Sequence, residues 1–231
     1  MTSTRGSGAQ MVATTRRSDD RLLRFDRGER LLHWSNAVLF LTLLVTGASL
    51  YVPQLSEVVK RRHLVKEIHV YAGVLLPLPL LLTCLSGRWG RAFRVDAGRL
   101  NRWSADDRRW LRTRGRDPRV RIGKFNAGQK LNAAFTAGAI PVMLATGLIM
   151  RFPSDWSLSW RTGATFVHDW VFLGLAVSIT GHILFAINDP HALRSMVRGW
   201  IPRTWASHHA PRWAEEEATA ATTPPHRSGP A

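Results

Sequence analysis

The sequence contains a single cysteine, Cys84, among 231 residues, so it can build neither a disulfide framework nor a thiolate metal cluster. Acidic residues are sparse as well: 16 Asp and Glu stand against 32 Lys and Arg, for a formal charge of +16. Residues 1–20, rich in Ser, Thr, Gly and Arg, lack the apolar core of a cleaved signal peptide. Four stretches lack charge almost altogether, and they define the expected fold.

These stretches run roughly from Leu31 to Val52, Glu67 to Ser86, Leu131 to Met150 and Ala164 to Ile187, each near the about 20 residues needed to cross a bilayer. Averaging over the whole chain hides them, because polar ends and one Arg-rich connection dilute the apolar blocks; hydropathy has to be read in windows. The predicted fold is an all-α membrane protein, a four-transmembrane-helix bundle that is multi-pass in the cell (inner) membrane. Pro77, Pro79 and Pro141 fall inside spans, where neighbouring helices tolerate proline, and predict kinks. The first span is expected to act as an uncleaved insertion signal. Residues 1–23 and 206–231 show no apolar period and are predicted to be disordered tails, leaving 24–205 as the folded domain with a cytoplasmic loop over 87–130.

Lys and Arg number seven in residues 1–30, fourteen in 87–130 and five in 188–231, against four in 53–66 and two in 151–162. Connections rich in Lys and Arg stay in the cytoplasm, which predicts that both termini are cytoplasmic. The same placement accounts for the net charge with no nucleic-acid partner, the class that a basic chain with many tryptophans would otherwise suggest. Within the loop, Ser104 and Asp107 have capping-box spacing, with aspartate in place of the usual Glu or Gln. Trp103, Trp110 and Leu111 fall near one face and arginines on the other. This describes a short helix in the headgroup layer or a docking surface for a soluble partner.

Four histidines, His33, His69, His168 and His182, lie inside or at the ends of the spans. Histidine in a membrane segment usually marks cofactor ligation or proton chemistry. His168 and His182 are 14 residues apart on one span, almost four turns and about 21 Å of rise, so they share a face near opposite membrane surfaces. With the N-terminus inside, the first span rises and the second and fourth descend. His33 and His182 then lie at the inner level, His69 and His168 at the outer.

Two imidazoles on one iron need nitrogens about 4 Å apart, from metal to imidazole distances of about 2 Å. Depth therefore pairs His69 with His168 and His33 with His182. Each level offers only two ligands, and no carboxylate or thiolate joins them within the spans, which favours haem over a mononuclear metal. The absence of C-x-x-C-H excludes a haem attached through paired cysteines, so any haem is held by ligation and packing alone. Bis-imidazole ligation leaves no open position on the iron, and the expected work is one-electron transfer. The competing reading has the histidines hydrogen-bonded to neighbouring helices. Gly47, 14 residues after His33, falls on the same face at the outer level, where a macrocycle needs space. Thr83 falls 14 residues after His69, and Gly73 one turn from it. Small residues at these positions also serve helix packing. A short echo, Val45-Thr46-Gly47 and Ala145-Thr146-Gly147, is too brief to call a repeat; helix packing explains Thr146 and most of the glycines adequately, whereas Gly47 is more specific. His63, among Lys60, Arg61, Arg62 and Lys66, is read as a solvated loop residue, and His191, His208, His209 and His226 receive no cofactor role. Arg27, Arg30 and Lys130 lie near the inner level, where they could neutralise haem propionates or simply keep the loops inside.

Arg30-Leu31-Leu32-His33-Trp34, Thr46-Gly47, His69 with Gly73, Asn126-Ala127-Gly128-Gln129-Lys130 and the pair His168 and His182 together resemble the gamma subunit of bacterial membrane formate dehydrogenases, a four-helix di-haem cytochrome b. The similarity extends over about Arg24 to Trp205. It implies a membrane anchor in a complex with an iron-sulfur subunit and a catalytic dehydrogenase subunit. Electrons would pass from the iron-sulfur subunit on the outer face through two haem b groups to menaquinone or ubiquinone in a respiratory chain. By the same resemblance His69 and His168 match the outer haem ligands, and His33 and His182 the inner ones. Asn126, Gly128 and Gln129 match the quinone-site motif. Read on their own, a carboxamide and a backbone group at a helix start can donate to a quinone carbonyl, or simply cap the third span.

Cytochromes of this type also serve hydrogenases, thiosulfate reductases and stand-alone quinone oxidoreductases. The alternative to the formate dehydrogenase-like subunit is therefore one of the first two, or a self-contained di-haem enzyme that oxidises a small reductant such as superoxide. A non-redox membrane anchor or transporter is the reading from another class, motivated by the basic cytoplasmic surface.

Overall fold

The computed structural model describes residues 20–222. Four helical spans, Arg27–Tyr51, Arg62–Leu85, Ala127–Arg151 and Leu158–Asn188, are long and apolar enough to cross a membrane. The chain divides into two units, a helical unit of residues 26–101 and 131–189 and a terminal unit that includes 102–130 and the two chain ends.

The helical unit begins with α1 (Arg27–Tyr51), whose N-terminus is closed by a capping box: Asp26 accepts from the Glu29 backbone and Glu29 from the Asp26 backbone. Two free N–H groups at a helix start are thus satisfied. Gly28 in the first turn lies so close to the Trp89 carbonyl that any Cβ would collide with it, which explains glycine inside a helix. A short helix α2 (Pro53–Val59) leads to the second span, which is broken at Leu76 and Pro77 into α3 (Arg62–Leu75) and α4 (Leu78–Leu85). α1 packs against α3, α4 and α5 (Arg91–Asn101).

The expected kinks therefore differ. Pro77 and Pro79 remove two donors within one turn and end a helix, whereas the lone Pro141 lies inside the continuous span of α7 (Ala127–Arg151). α8 (Leu158–Asn188) is the longest helix and begins well before the apolar block at Ala164. Ser178 donates to Asn132 on α7 at 2.6 Å, and Gly174 leaves room for the Phe135 ring.

Large apolar side chains cover the outside of this unit: Leu85 is 83% and Phe185 81% exposed. Such a surface suits lipid rather than water. Hydroxyls in the spans bond their own helix, as Thr42 does to Val38, Ser49 to Val45 and Thr83 to Pro79, the usual solution where no water is available.

The terminal unit contains β1 (Arg21–Leu23), α6 (Ala105–Thr113), the start of α7, α9 (Pro190–Arg198), β2 (Trp200–Pro202), α10 (Arg203–His209) and α11 (Pro211–Thr222). β1 pairs antiparallel with β2, Leu22 opposite Ile201. α9 ends at Gly199, whose φ of 87° turns the chain into β2 and whose carbonyl accepts from the Arg24 and Phe25 backbones. Leu22, Ile201, Ala206, Ala210, Trp213 and Ala214 form the core, with Trp205 against it. The connection joins this unit too: Lys124 lies over the rings of Phe25 and Phe125, Arg121 pairs with Glu215, and the Arg212 N–H donates to the Ile122 carbonyl.

The prediction of a disordered tail from residue 206 is thus corrected as far as Thr222. The buried face of α10 and α11 is mostly alanine, at 206, 210 and 214, around the fully buried Trp213, a pattern too weakly apolar to register as a helical period. Residues 1–19 and 223–231, the rest of the predicted tails, lie outside the described residues.

Candidate functional site

The four membrane histidines come together as two pairs, both inside the helical unit. His33 on α1 and His182 on α8 have ring centroids 6.1 Å apart; His69 on α3 and His168 on α8 are 6.3 Å apart. Two imidazoles sharing a metal need nitrogens about 4 Å apart, and adding the half-width of each ring brings the centroids to about 6 Å. The observed separations have that size. Among the described residues no group of three or more His, Cys, Asp or Glu side chains converges as a metal site, so each pair stands as two ligands and no more.

Around His69 and His168 lies a cavity of about 440 Å³, within the range of cofactor pockets. Its walls are apolar, including Phe40, Leu44, Met143 and Phe172. Gly47 faces the ring of His69: a Cβ there would sit 3.3 Å from both His69 Cε1 and Phe172 Cε2. Gly147 stands in the same relation to His168, 3.5 Å from its Cε1. Gly73 also lines the cavity. Arg62, Lys66 and Arg151 contribute cationic lining against the single carboxylate of Asp169, an excess of positive charge suited to an anionic edge on an otherwise apolar occupant. At the other level, His33 Nδ1 and Asn36 Oδ1 are buried with no hydrogen-bond partner among the described residues. Buried polar atoms are nearly always paired, so these two fit a site completed by a further group. On chemistry, donor number, space and charge, the residues around His69 and His168 fit a bis-imidazole haem, and the inner pair matches it in chemistry and donor number.

Thr46 and Thr146 both touch the outer histidines. Each Oγ1 is 2.9 Å from an imidazole Nδ1, of His69 and His168 respectively. Thr83 bonds only its own helix at Pro79. His63 stands in the first turn of α3 rather than in a loop, and its side chain is 89% exposed. His209 stacks on Trp205 in the terminal unit.

Asn126, Gly128 and Gln129 belong to the terminal unit, at the start of α7. The Gln129 N–H donates to Asn126 Oδ1 at 2.9 Å, and the Asn126 N–H to Gln129 Oε1 at 3.0 Å. This reciprocal cap uses both carboxamide oxygens and leaves the NH2 donors. Gly128 is hemmed by Trp110, whose Cη2 would be 3.1 Å from a Cβ. Trp110 also packs against Gly115, so it faces protein on that side rather than the headgroup layer proposed for it. α6 has the predicted cap, Ser104 to Asp107 in both directions. Lys130, considered above as a neighbour of propionates, is instead buried, and its ammonium donates at 2.8 Å to both oxygens of Asp107 and to the Arg102 carbonyl. Burial by itself would push the Asp107 carboxyl up, but hydrogen bonds from Lys130 and Ser104 outweigh it and hold the group below the usual carboxylate range.

The family model for prokaryotic cytochrome b561 matches residues 24–199. Among curated proteins, the chain is 27% identical over 212 residues to the formate dehydrogenase cytochrome b556 subunit of Haemophilus influenzae, covering 87% of this chain and 85% of the relative. It is 25% identical to the formate dehydrogenase cytochrome b556(fdo) subunit of Escherichia coli K12, with 85% and 93% covered. The nitrate-inducible cytochrome b556(Fdn) subunit of the same strain is 24% identical, with 81% and 88% covered.

Proposed function

The chain belongs to the prokaryotic cytochrome b561 family, and from that premise we propose that it is the membrane cytochrome b subunit of a formate dehydrogenase-like complex, carrying electrons from an iron-sulfur partner to a quinone. The family implies haem b, and the four spans make the chain a multi-pass membrane protein. His69 and His168 would hold one haem at the outer level, and His33 and His182 the other at the inner level. The observation that carries this reading is the pair of ring separations, 6.1 and 6.3 Å, on one long helix and two partners.

When bound in this way, haem b exchanges one electron and has no free coordination position. The protein supplies the rest. α8 sets the two levels about 21 Å apart, 14 residues at 1.5 Å each. Gly47 and Gly147 keep side chains away from the outer rings, and Lys66 and Arg151 offer charge to propionates. Phe40, Leu44 and Phe172 exclude water from the outer cavity. At the start of α7, Asn126 and Gln129 hold the helix end with their oxygens and present N–H donors to a quinone carbonyl, with Gly128 making room for Trp110 beside them. Loops rich in Lys and Arg keep this end in the cytoplasm.

The relatives named above favour formate dehydrogenase over hydrogenase or thiosulfate reductase as the parent complex. The test is a haem-to-protein ratio with a redox titration of the complex isolated from its native membrane. Two haems per chain, two separable steps and co-purifying iron-sulfur and catalytic chains are expected. His182→Ala should remove the inner step alone. One haem per chain, or a lone chain with full quinone-reducing activity on a small reductant, would overturn the assignment.

A further inference from the structure

The echo Val45-Thr46-Gly47 and Ala145-Thr146-Gly147 acquires a meaning once the helices are packed. The two segments do the same thing from two different helices, α1 and α7. In each, the glycine gives space to an outer imidazole at Cε1, and the threonine hydroxyl meets the same ring at Nδ1.

The direction of these bonds follows from counting hydrogens. A hydroxyl has one to give. Thr46 gives it to the Thr42 carbonyl, 2.6 Å away, and Thr146 to the Val142 carbonyl, 2.7 Å away, the bond to the fourth preceding carbonyl common for threonine in spanning helices. Only lone pairs remain for the imidazoles. Nδ1 of each ring must therefore carry the proton and donate it, which leaves Nε2 unprotonated and free to bind a metal. His33 has no equivalent at the inner level, where its Nδ1 is buried without a hydrogen-bond partner among the described residues.

We propose that Thr46 and Thr146 are positioning residues of the outer site: they lock His69 and His168 in the Nδ1–H tautomer and, by accepting that hydrogen, lower the reduction potential of the outer haem. A hydrogen-bonded imidazole is the stronger electron donor, and a stronger donor favours oxidised iron. The inference rests on the reading of His69 and His168 as haem ligands.

The experiment is a spectroscopic redox titration of the isolated complex, with the outer step identified as the one lost in His168→Ala. Thr146→Val keeps the methyl and the shape but removes the acceptor; Thr146→Ser keeps the hydroxyl and removes the methyl. Expected are an upward shift of the outer step in Thr146→Val and in Thr46→Val, the largest in the double variant, and an unmoved inner step. Thr146→Ser should stay at the wild-type potential. Loss of the outer haem in Thr146→Val but not in Thr146→Ser would equally support the hydroxyl's role. An unshifted or lowered outer step in Thr146→Val, or loss of the outer haem in Thr146→Ser, would overturn it. Failure of the underlying assignment looks different: His168→Ala would then retain both steps.

Discussion

A glycine beside an imidazole controls what can lie between helices, and Gly47 is the position where this is most exposed to test. Its missing side chain leaves 3.3 Å to the rings of His69 and Phe172. Gly47→Val would drive two methyls into that gap, and we expect the outer haem to fall from one per chain to well under half. The inner haem should be retained, as read by pyridine haemochrome and by the surviving redox step. Gly73→Ala, at a position whose Cβ would meet only Leu43 at 3.8 Å, should leave both haems in place. Gly47 and the four histidines could be read from the sequence because depth and face on a helix depend on residue spacing alone. Thr46 and Thr146 could not, since a threonine in a span is already satisfied by its own backbone. Their second contact exists only after α3 and α8 have packed against α1 and α7.

At the scale of elements, the four spans were legible from apolar runs, but their starts were not. α3 begins at Arg62 and α8 at Leu158, because a helix can continue past its apolar part into the interface, where Lys66 and Arg161 keep their charged ends in polar surroundings. The cap of α6 was legible from Ser104 and Asp107; the role of Asp107 towards Lys130 was not, because 23 residues separate them. That pair is buried on both sides, 3% and 7% exposed. Removing one partner of a buried pair costs about 3–5 kcal/mol, so Asp107→Asn should open the 102–130 connection to protease at neutral pH. Replacing both residues together, Asp107→Leu with Lys130→Met, should restore much of the resistance. The pH dependence follows from the direction of the Asp107 shift. Its folded value lies below the unfolded one, so the stabilisation is present above about pH 4 and is lost as pH falls through the folded value. Hydrogen exchange in residues 102–130 should accelerate over that acid range in the wild type and show no such step in Asp107→Asn.

For the molecule as a whole, the terminal unit is the part that the sequence disclosed least. Its contacts join β1, the 102–130 connection and the chain beyond Pro190, segments separated by whole spans, and its core has one large side chain, Trp213, fully buried among alanines. Periodicity reports local pattern and is blind to such assembly. Trp213→Ala removes the centre of that core at a cost of about 3–5 kcal/mol. Limited proteolysis should then cut near both chain ends and within 102–130 together. The absorption spectrum should stay unchanged, because every proposed haem ligand belongs to the other unit. The contacts also require that the segments flanking α1 and α8 and the middle connection occupy one side of any membrane the spans cross. Reporter fusions at the two ends should therefore give the same signal.

The pairing of Leu22 with Ile201 has a consequence for how the chain is made. The first strand leaves the ribosome long before its partner exists and must wait while about 180 residues are synthesised and threaded into lipid, at about 5–20 residues per second. It finds that partner only if the intervening chain has crossed the bilayer an even number of times. A nascent chain with one helix left out would strand the two ends in different compartments, with Trp213 uncovered and open to surveillance proteases. The ribbon thus cannot close on a molecule that has lost a single span.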